Sequence, residues 1–366
     1  MVVTLHRRGP RGTLVPLKGG GSEGEPWFPL KIDLTPPNAG TPVTTQITTM
    51  GIRHLNRMIA MRCNHDAIKK THLSEFAGKQ IAIDTSIYLY RFIGEDKLLE
   101  HFYLLISLFR HYEIVPLFVF DGVAPQEKQE LLKERRENKH RAEEKYKEIE
   151  KQLTTIEDRD DKQDLELELV KLKKDFVRVK DTDINKIKNL LTHCGASYIE
   201  APGEADVLCA QLIHTGRVYA CLSEDMDLFA YGCSRILRHI SLLKHTVLLY
   251  DLRTILHQLH MTMDEFRQVL VLSGTDYNKD ETTNLKDSMA LFYQYKHTEV
   301  PTFYEWLRLN TQYIKNYDAL KTAYDMFDVA KNIDDNFIKT MAIENGKKND
   351  TEIEKIMEED GFIFIK

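Results

Sequence analysis

The sequence predicts an α/β fold, with a mostly parallel sheet flanked by helices, a projecting helical arch and a helical C-terminal region. Two observations lead to this fold. Short apolar runs of the kind that forms buried parallel strands alternate with helical segments along the chain, and several of those runs end in an acidic residue. Because the carboxyl ends of parallel strands lie along one edge of a sheet, we expect these acids to meet in one crevice.

The composition is that of a folded protein with a substantial core, since 42% of the 366 residues are apolar. No apolar run approaches the roughly 18 residues that a membrane span requires, and the chain does not open with a secretory signal pattern. The five cysteines lack paired metal spacing, which predicts reduced thiols, no disulfides and no zinc. We therefore expect an intracellular protein. The net charge of −6 neither indicates nor excludes nucleic-acid binding.

Residues 1–49 are predicted to be a flexible leader outside the fold. They hold seven of the eleven prolines and show no sustained helical or strand period. At Met50 the pattern changes, because Ile52, Leu55 and Ile59 lie on one helical face. We expect the folded protein to begin at Met50 or Gly51.

Two apolar runs in the N-terminal part predict neighbouring strands that each end in aspartate. The run at 79–86 ends near Asp84, and the run at 115–122 ends in Asp121 and a glycine turn. An apolar helix at 101–111 lies between them and can cover a sheet. The order strand, helix, strand is that of a parallel crossover.

From Gln126 to Lys180 the chain is predicted to be helical and to project from the core, because 32 of these 55 residues are charged. The first part is rich in lysine and arginine and follows Asp121 closely. Such a segment can be a solvated helical hairpin, or its basic end can guide phosphate groups towards an acidic metal site. Composition leaves both interpretations open.

Four acids lie close together in the next part of the chain: Glu204, Asp206, Asp225 and Asp227. Glu204 and Asp206 follow a proline at the start of a predicted helix, where an irregular first turn allows both to serve one site. Asp225 and Asp227 follow the apolar run 218–222, and residues two apart in a strand-like segment point to the same side. Solvated loop acids would give the same local pattern, so the metal-site interpretation depends on the other acids.

Asp276 follows a predicted apolar helix at 261–273 and brings the number of candidate metal ligands to seven. Seven carboxylates at one edge would repel one another, so divalent cations must neutralise them. Oxygen ligands select Mg²⁺ or Mn²⁺. Two such ions would activate a water molecule and stabilise the leaving oxygen in phosphodiester hydrolysis.

Six motifs occur in an order and spacing that resemble those of the flap endonuclease and XPG-type family of structure-specific 5′ nucleases. They are MGI at 50–52, IDTS with Asp84, VFDG with Asp121, APGEAD with Glu204 and Asp206, EDMD with Asp225 and Asp227, and GTDY with Asp276. The resemblance covers about Met50 to Tyr277. It implies a PIN-like nuclease core, two Mg²⁺ ions held by the seven acids, and incision of DNA near the base of a 5′ single-stranded flap.

The same resemblance implies roles in substrate binding. Lys128 and Arg135 match the basic pair that orients the scissile phosphate, and Tyr90 matches an aromatic residue that stacks on a base, with core packing as the alternative for Tyr90. The other expected contacts with DNA are Gly51, Arg136, Lys173, Lys174, Arg178 and Lys286. Among them, residues 173–178 would close the far side of an arch through which a flap threads.

Three departures from the family pattern bear on function. Asp206 stands where the family usually has glutamate, and we expect activity to survive this shorter side chain. After Asp276 the family has a glycine-rich helix-hairpin-helix that grips duplex DNA, whereas residues 278–292 (NKDETTNLKDSMALF) contain no glycine. The C-terminus lacks the pattern that binds a sliding clamp. We therefore expect a monomer that binds branched or flapped DNA without a clamp partner, as in a divergent or viral member of the family.

These features predict a leader at 1–49, a nuclease core at 50–278 (N-region 50–125, arch 126–180, I-region 181–278), a helical region at 279–344 and a tail at 345–366. The expected function is a Mg²⁺-dependent 5′ flap endonuclease and 5′ to 3′ exonuclease in DNA replication, repair or recombination. The same core acting on junctions, bubbles or RNA is the alternative. A non-catalytic scaffold is disfavoured, because all seven acidic positions hold Asp or Glu. The expected location is the nucleus for a cellular eukaryotic protein and a cytoplasmic replication site for a viral one.

Overall fold

A mixed β-sheet forms the centre of the protein in the computed structural model, which describes residues 4–7, 52–153, 165, 168–169, 172–278 and 282–365. The strands are β1 (Thr4–Arg7), β2 (Ile68–His72), β3 (Gln80–Asp84), β4 (Val115–Phe120), β5 (Ser197–Glu200), β6 (Ala220–Leu222), β7 (Arg235–Ser241), β8 (Thr246–Asp251) and β9 (Phe362–Ile365). Seven of them form one sheet in the order β2-β8-β7-β6-β3-β4-β5. The five strands from β7 to β5 are parallel, while β8 is antiparallel to both β7 and β2.

Helices cover both faces of this sheet. In chain order they are α1 (Leu55–Arg62), α2 (Thr85–Gly94), α3 (Leu98–His111), α4 (Gln129–Leu153), α5 (Asp181–Cys194), α6 (Ala205–His214), α7 (Asp227–Ala230), α8 (Leu252–Leu259), α9 (Met263–Leu272), α10 (Leu285–Tyr295), α11 (Phe303–Asn310), α12 (Tyr317–Met326), α13 (Asp335–Thr340) and α14 (Asp350–Glu359). Within the described ranges, none of the helices is both long and apolar enough to span a bilayer.

The sheet is buried on both faces because its central strands are apolar between their ends. Along β3, Ala82 packs into one hydrophobic core, whereas Ile81 and Ile83 pack into the other. Alternate residues of a strand point to opposite faces, so a strand without polar positions is stable only between two layers of helices. Helices α1, α6, α8 and α9 contribute to the first core, and α2, α3, α5 and α14 contribute to the second. The predicted α/β fold with a mostly parallel sheet is confirmed.

The predicted arch contains α4, a helix of 25 residues that extends for about 37 Å. Residues 172–180, the returning segment, pack along α4. The ring centres of Tyr146 and Phe176 are 5.2 Å apart, and the Arg178 guanidinium donates to the Glu143 carboxylate at 2.7 Å. Most of the α4 side chains are exposed, although Ile149 is buried. The charged sequence therefore forms a hairpin-like projection, as the composition indicates.

The predicted tail from residue 345 packs against the rest of the fold. Helix α14 buries Ile353 and Met357 in the second core. Before it, the backbone N–H of Gly346 donates to the carbonyl of Gly195 at 2.7 Å, and that of Asn349 donates to the carbonyl of His193 at 2.8 Å. The apolar residues at intervals of three and four in α14 explain why it docks.

The leader prediction needs correction at one place. Residues 4–7 form β1, which pairs antiparallel with β9, so this part of the leader has a partner strand. Residues 8–49 lie outside the described residues, as do Met50 and Gly51. The boundaries of the predicted domains stay predictions.

Candidate active site

The carboxyl ends of the parallel strands place the first two acids side by side. Asp84 is the last residue of β3, and Asp121 follows β4 directly. Asp84 is buried and accepts a hydrogen bond from the Ser223 hydroxyl at 2.9 Å. Asp121 is exposed and accepts hydrogen bonds from the Ser86 hydroxyl at 2.5 Å and from the backbone N–H of Ala205 at 2.8 Å. The two strands therefore bring these carboxylates to one edge.

Helix α6 begins at this same edge and supplies the next pair. Glu204 is its N-cap residue, and Asp206 lies in its first turn. Asp206 is buried, and its carboxylate accepts a hydrogen bond from the N–H of Val207 at 2.7 Å. Partial positive charge at a helix N-terminus stabilises acids in this position. The two acids share the irregular first turn, as the sequence predicts.

The turn after β6 supplies Asp225 and Asp227. The prediction that these acids lie in a strand-like segment is wrong: β6 ends at Leu222, and Asp227 begins the short helix α7. The N–H of Asp227 donates to the Asp225 carboxylate at 2.9 Å, and the N–H of Asp225 donates to the Ser223 hydroxyl at 3.1 Å. Aspartate and serine stabilise turns through such local bonds, which compete with continued strand structure.

Two cations face the acids from the start of the arch. Lys128 lies at the end of a short 3-10 helix and is only 5% exposed. Its ammonium donates to the Glu204 carboxylate at 2.7 Å and lies 3.5 Å from that of Asp276. Arg135, on α4, donates to both carboxylate oxygens of Asp276 at 3.0 Å. The crevice therefore contains both signs of charge.

Burial and repulsion raise the pKa of several carboxyl groups in the crevice. Burial is the largest cause at Asp84, where Asp121 adds repulsion and the pKa rises to about 8. The pKa values of Asp206 and Asp227 rise well above the ordinary range, and that of Asp225 rises as well, again chiefly through burial. At Lys128, burial alone would lower the pKa, but nearby oxygens, foremost those of Asp206, outweigh it and raise the pKa. The buried acids need further positive charge to be ionised together.

These side chains suit a divalent cation, although they do not form a ready-made cage. Among the described residues, no three His, Cys, Asp or Glu side chains are arranged to coordinate one ion. The reason lies in their present partners: Lys128 holds Glu204, Arg135 holds Asp276, and Ser86 holds Asp121. One buried oxygen, Oδ1 of Asp227, has no hydrogen-bond partner in the described part of the chain. An orphaned carboxylate oxygen among acids with raised pKa values fits a hard cation.

Comparison with known proteins supports the resemblance that the motifs indicate. Two family models match, the XPG N-terminal domain over residues 50–142 and the XPG I-region over residues 195–276. The predicted resemblance to the flap endonuclease and XPG-type family is confirmed over these regions.

Relatives named flap endonuclease 1 agree with that resemblance. Flap endonuclease 1 of Salmo salar is 32% identical over 247 residues, which cover 62% of this chain and 62% of that protein. The protein of the same name from Glossina morsitans morsitans is 34% identical over 250 residues, which cover 62% of this chain and 61% of that protein. The chain thus aligns with about three fifths of the length of these relatives.

Two solved structures share the fold. The catalytic core of Rad2 in complex with DNA substrate has a TM-score of 0.58 at 21% identity, covering 84% of this chain and 94% of that one. Flap endonuclease-1 from Methanococcus jannaschii has a TM-score of 0.54 at 24% identity, covering 80% of this chain and 90% of that one. The predicted PIN-like architecture is confirmed.

The other predicted DNA contacts are spread around the arch. Tyr90, on α2, is 41% exposed, and the Lys139 ammonium lies 4.4 Å from the centre of its ring. Lys173 forms an ion pair with Asp96 at 2.6 Å, and Arg178 is bonded to Glu143. The other predicted contacts are exposed on separate elements: Arg136 on α4, Lys174 on the returning segment and Lys286 in the first turn of α10. Gly51 lies outside the described residues.

Sequence reasoning missed three polar residues that hold the acids in place. Ser86 and Ser223 donate to Asp121 and Asp84, and the Tyr277 hydroxyl donates to the Glu204 carboxylate at 2.5 Å. The Lys128 ammonium also lies 4.6 Å from the centre of the Tyr277 ring. All three residues stand within or beside the acidic motifs, which is the signal that could have identified them.

Proposed function

We propose that the protein is a Mg²⁺-dependent, structure-specific 5′ flap endonuclease and 5′ to 3′ exonuclease that acts on DNA during replication, repair or recombination. One observation carries this proposal. Acids from five separate segments and two cations from the start of the arch meet at the carboxyl edge of the sheet. The relatives named flap endonuclease 1, and the Rad2 core that binds a DNA substrate, support a nucleic acid as the substrate.

The seven acids would hold the metal in two groups. Asp84, Asp206, Asp225 and Asp227 are buried, whereas Asp121, Glu204 and Asp276 are bonded to groups that substrate or metal can displace. When bound, two Mg²⁺ or Mn²⁺ ions supply an activated water and stabilise the leaving oxygen of a phosphodiester. Ionisation of the buried acids would accompany binding, because a cation would stabilise the charged form of carboxyl groups whose pKa values are raised by burial and by repulsion from neighbouring carboxylates.

Lys128 and Arg135 would bind and orient the scissile phosphate. Both cations pair with carboxylates in this structure. The Arg135 side chain is 37% exposed at the rim of the crevice, whereas that of Lys128 is 6% exposed. A cation placed beside a phosphate stabilises the charge that develops there in the transition state. Tyr90, exposed six residues after Asp84 on α2, would stack on a base near the site.

The first test is cleavage of a 5′-labelled flap substrate in Mg²⁺. We expect Asp225→Asn to cut about 100-fold more slowly or worse, because loss of a metal ligand removes several kcal/mol of transition-state stabilisation. The matched control is Asp318→Asn, an exposed first-turn residue of α12, which should cut at the rate of the unchanged protein. Unchanged protein that leaves flaps, nicked duplex and junctions intact would refute the proposal.

A second substrate preference is favoured by the segment after Asp276. Residues 282–295 contain the helix α10, whose N-cap is Asn284, and no glycine. The family grips duplex DNA with glycines in this region. Lys286 is exposed in the first turn of α10. This helix N-terminus would give a different phosphate contact, suited to junctions, bubbles or RNA. A panel of labelled DNA and RNA substrates, cut under identical conditions, would decide by the ratio of kcat/KM values.

A further inference from the structure

An open groove of about 590 Å³ lies beside the edge strand β2, away from the acidic crevice. Its walls include His65, Lys69, Lys70, His72, Glu75 and Tyr219. Lys69 is paired across β2 and β8 with Leu249, which is itself paired with Leu237 on β7. Cross-strand partners share a face of the sheet, so the groove belongs to the face of the second core.

Tyr219 ties two further cations to this groove. Tyr219 directly precedes β6. The Lys79 ammonium lies 5.2 Å from the centre of its ring, and the Arg235 guanidinium carbon lies 4.4 Å from that centre. Lys79 directly precedes β3, and Arg235 is the first residue of β7. These residues therefore mark the amino ends of parallel strands. Lys79 is five residues before Asp84, which places it about 16 Å from the catalytic edge.

The cations in and beside the groove outnumber the carboxylates that oppose them. Within the described ranges, Lys69, Lys70, Lys79 and Arg235 form no ion pair with a carboxylate. The lining includes the acid Glu75, and His65 is within 3.7 Å of the Asp66 carboxylate. The lining itself has two lysines, Lys69 and Lys70, against one carboxylate, Glu75. Lys79 and Arg235 add two cations beside it, and Asp251, the cross-strand partner of Arg235, adds one carboxylate. These groups leave a local excess of positive charge on a chain whose net charge is −6. Such an excess attracts a polyanion.

The spacing of the cations indicates a ligand with several phosphates. Four strand spacings separate β2 from β3 in the sheet, which corresponds to about 19 Å. Arg235 lies midway, on β7. One phosphate cannot bridge this distance, whereas successive phosphates of a nucleic-acid strand can.

We propose that this groove is a second nucleic-acid site, in which Lys69, Lys79 and Arg235 bind the phosphodiester backbone of a substrate arm that extends beyond the catalytic crevice. The choice of nucleic acid over an acidic protein segment rests on the proposed function, because a branched substrate has arms that leave the site of cleavage. The groove adds affinity for long arms and takes no part in bond cleavage.

The test measures binding without cleavage, using full-length protein, EDTA and fluorescent flap DNA with either long arms or arms too short to reach the groove. The variant combines Lys69→Gln, Lys79→Gln and Arg235→Gln. The matched control combines Lys321→Gln, Lys339→Gln and Lys347→Gln, which are exposed and remove the same charge elsewhere. For long-armed DNA, we expect the magnitude of the slope of log K, the binding constant, against log salt to fall by about 2 to 3 in the groove variant, since each of three phosphate contacts contributes about 0.7 to 0.9. The control variant should keep the slope of the unchanged protein. Short-armed DNA should show no difference.

Several results would overturn the inference. One is a groove variant with the same long-arm slope as the control, and another is a variant that binds DNA normally but loses binding of polyglutamate, which would assign the groove to an acidic protein. If the triple variant unfolds at a lower temperature, the single variant Lys79→Gln should still lose about 0.9 of slope. If the unchanged protein cleaves flap DNA and the groove variant keeps the same slope of log K against log salt, only this inference is refuted. If the groove variant lowers that slope as expected but the unchanged protein does not cleave flap DNA, only the proposed function is refuted.

Discussion

At the scale of single residues, Lys128 is the side chain whose surroundings are most informative. It is buried between the carboxylates of Glu204 and Asp276 and the ring of Tyr277, and nearby negative charge, foremost that of Asp206, raises its pKa despite burial. We expect Lys128→Met to lower the single-turnover rate of cleavage about 100-fold, because the cation that we propose to bind the scissile phosphate is removed. Substrate affinity should fall less, since binding draws on many phosphate contacts.

The matched control for this change is Lys133→Met, an exposed lysine one turn and a half along the same helical segment. It removes an equal charge outside the crevice and should alter the rate less than twofold, as surface substitutions of this kind usually do. Equal losses in the two variants would show that Lys128 acts only through general charge.

Asp84 predicts how stability depends on pH in the metal-free protein. Its folded-state pKa of about 8 exceeds its ordinary value of 3.8, so between these limits the folded state binds a proton that the unfolded state releases. Stability from this group is complete below pH 4 and is lost as pH rises towards 8, at no more than about 1.4 kcal/mol per pH unit. Asp206, Asp225 and Asp227 shift in the same direction.

In EDTA, we therefore expect the Tm to fall between pH 5 and pH 8, and to fall less steeply in Asp84→Asn, whose amide cannot ionise. Asp318→Asn, which is exposed, should follow the unchanged protein. A Tm that rises over this interval would contradict the assignment.

The positions of the acids were predictable from sequence, whereas their partners were not. Each acid follows a hydrophobic run or a helix start, and local pattern reveals such boundaries. The contacts of Ser223 with Asp84 and of Tyr277 with Glu204 join residues 139 and 73 positions apart, and they depend on how distant elements pack. Periodicity carries no information about such pairs.

At the scale of elements, the turn after β4 fixes the distance between Asp121 and Glu204. The N–H of Gly122 donates to the carbonyl of Gly203 at 2.7 Å. A Cβ at Gly122 would lie 1.9 Å from the carbonyl oxygen of Ala201, which is backbone and cannot rotate away. We expect Gly122→Ala to separate the two turns, destabilise the fold by about 1–3 kcal/mol and reduce cleavage about 100-fold through misplaced acids.

Gly203→Ala is the matched control in the facing turn. Its Cβ would lie 3.9 Å from the Val123 carbonyl oxygen, an ordinary contact. Stability by denaturant unfolding and cleavage by single-turnover kinetics should both stay near those of the unchanged protein. A Gly122→Ala variant with full activity would mean that this turn does not set the geometry of the site.

Elements were predicted well where one period dominates, as in β3, β4 and α4. The prediction failed at Asp225 and Asp227, since the apolar run ends at Leu222 and side-chain hydrogen bonds then stabilise a turn. Two acids two residues apart fit both a strand and such a turn. Only the bonds to Ser223 and to the N–H of Asp227 distinguish them.

At the scale of the whole molecule, the C-terminal segment shows what composition misjudges. Its charge and glycine suggest fraying, yet Asn345 donates to the carbonyl of Ile114 at 3.1 Å and Arg110 donates to the carbonyl of Gly346 at 2.9 Å. Gly346 fits because it meets Gly195 at close range, where a Cβ on Gly195 would lie 2.6 Å from the Gly346 backbone. The segment therefore closes the second core against α3 and α5.

This role predicts that the stability of the whole fold depends on α14. Met357 is fully buried there, so Met357→Ala should lower the free energy of unfolding by about 2–5 kcal/mol through lost burial and the cavity that remains. The exposed neighbour Glu359 lies on the same helix, and Glu359→Ala should change stability by no more than about 0.5 kcal/mol. Denaturant unfolding should show one transition for both variants, because the second core spans the sheet and includes residues from β3, α3, α5 and α14. A separate early transition in Met357→Ala would instead mean that α14 unfolds on its own and that the nuclease core is stable without it.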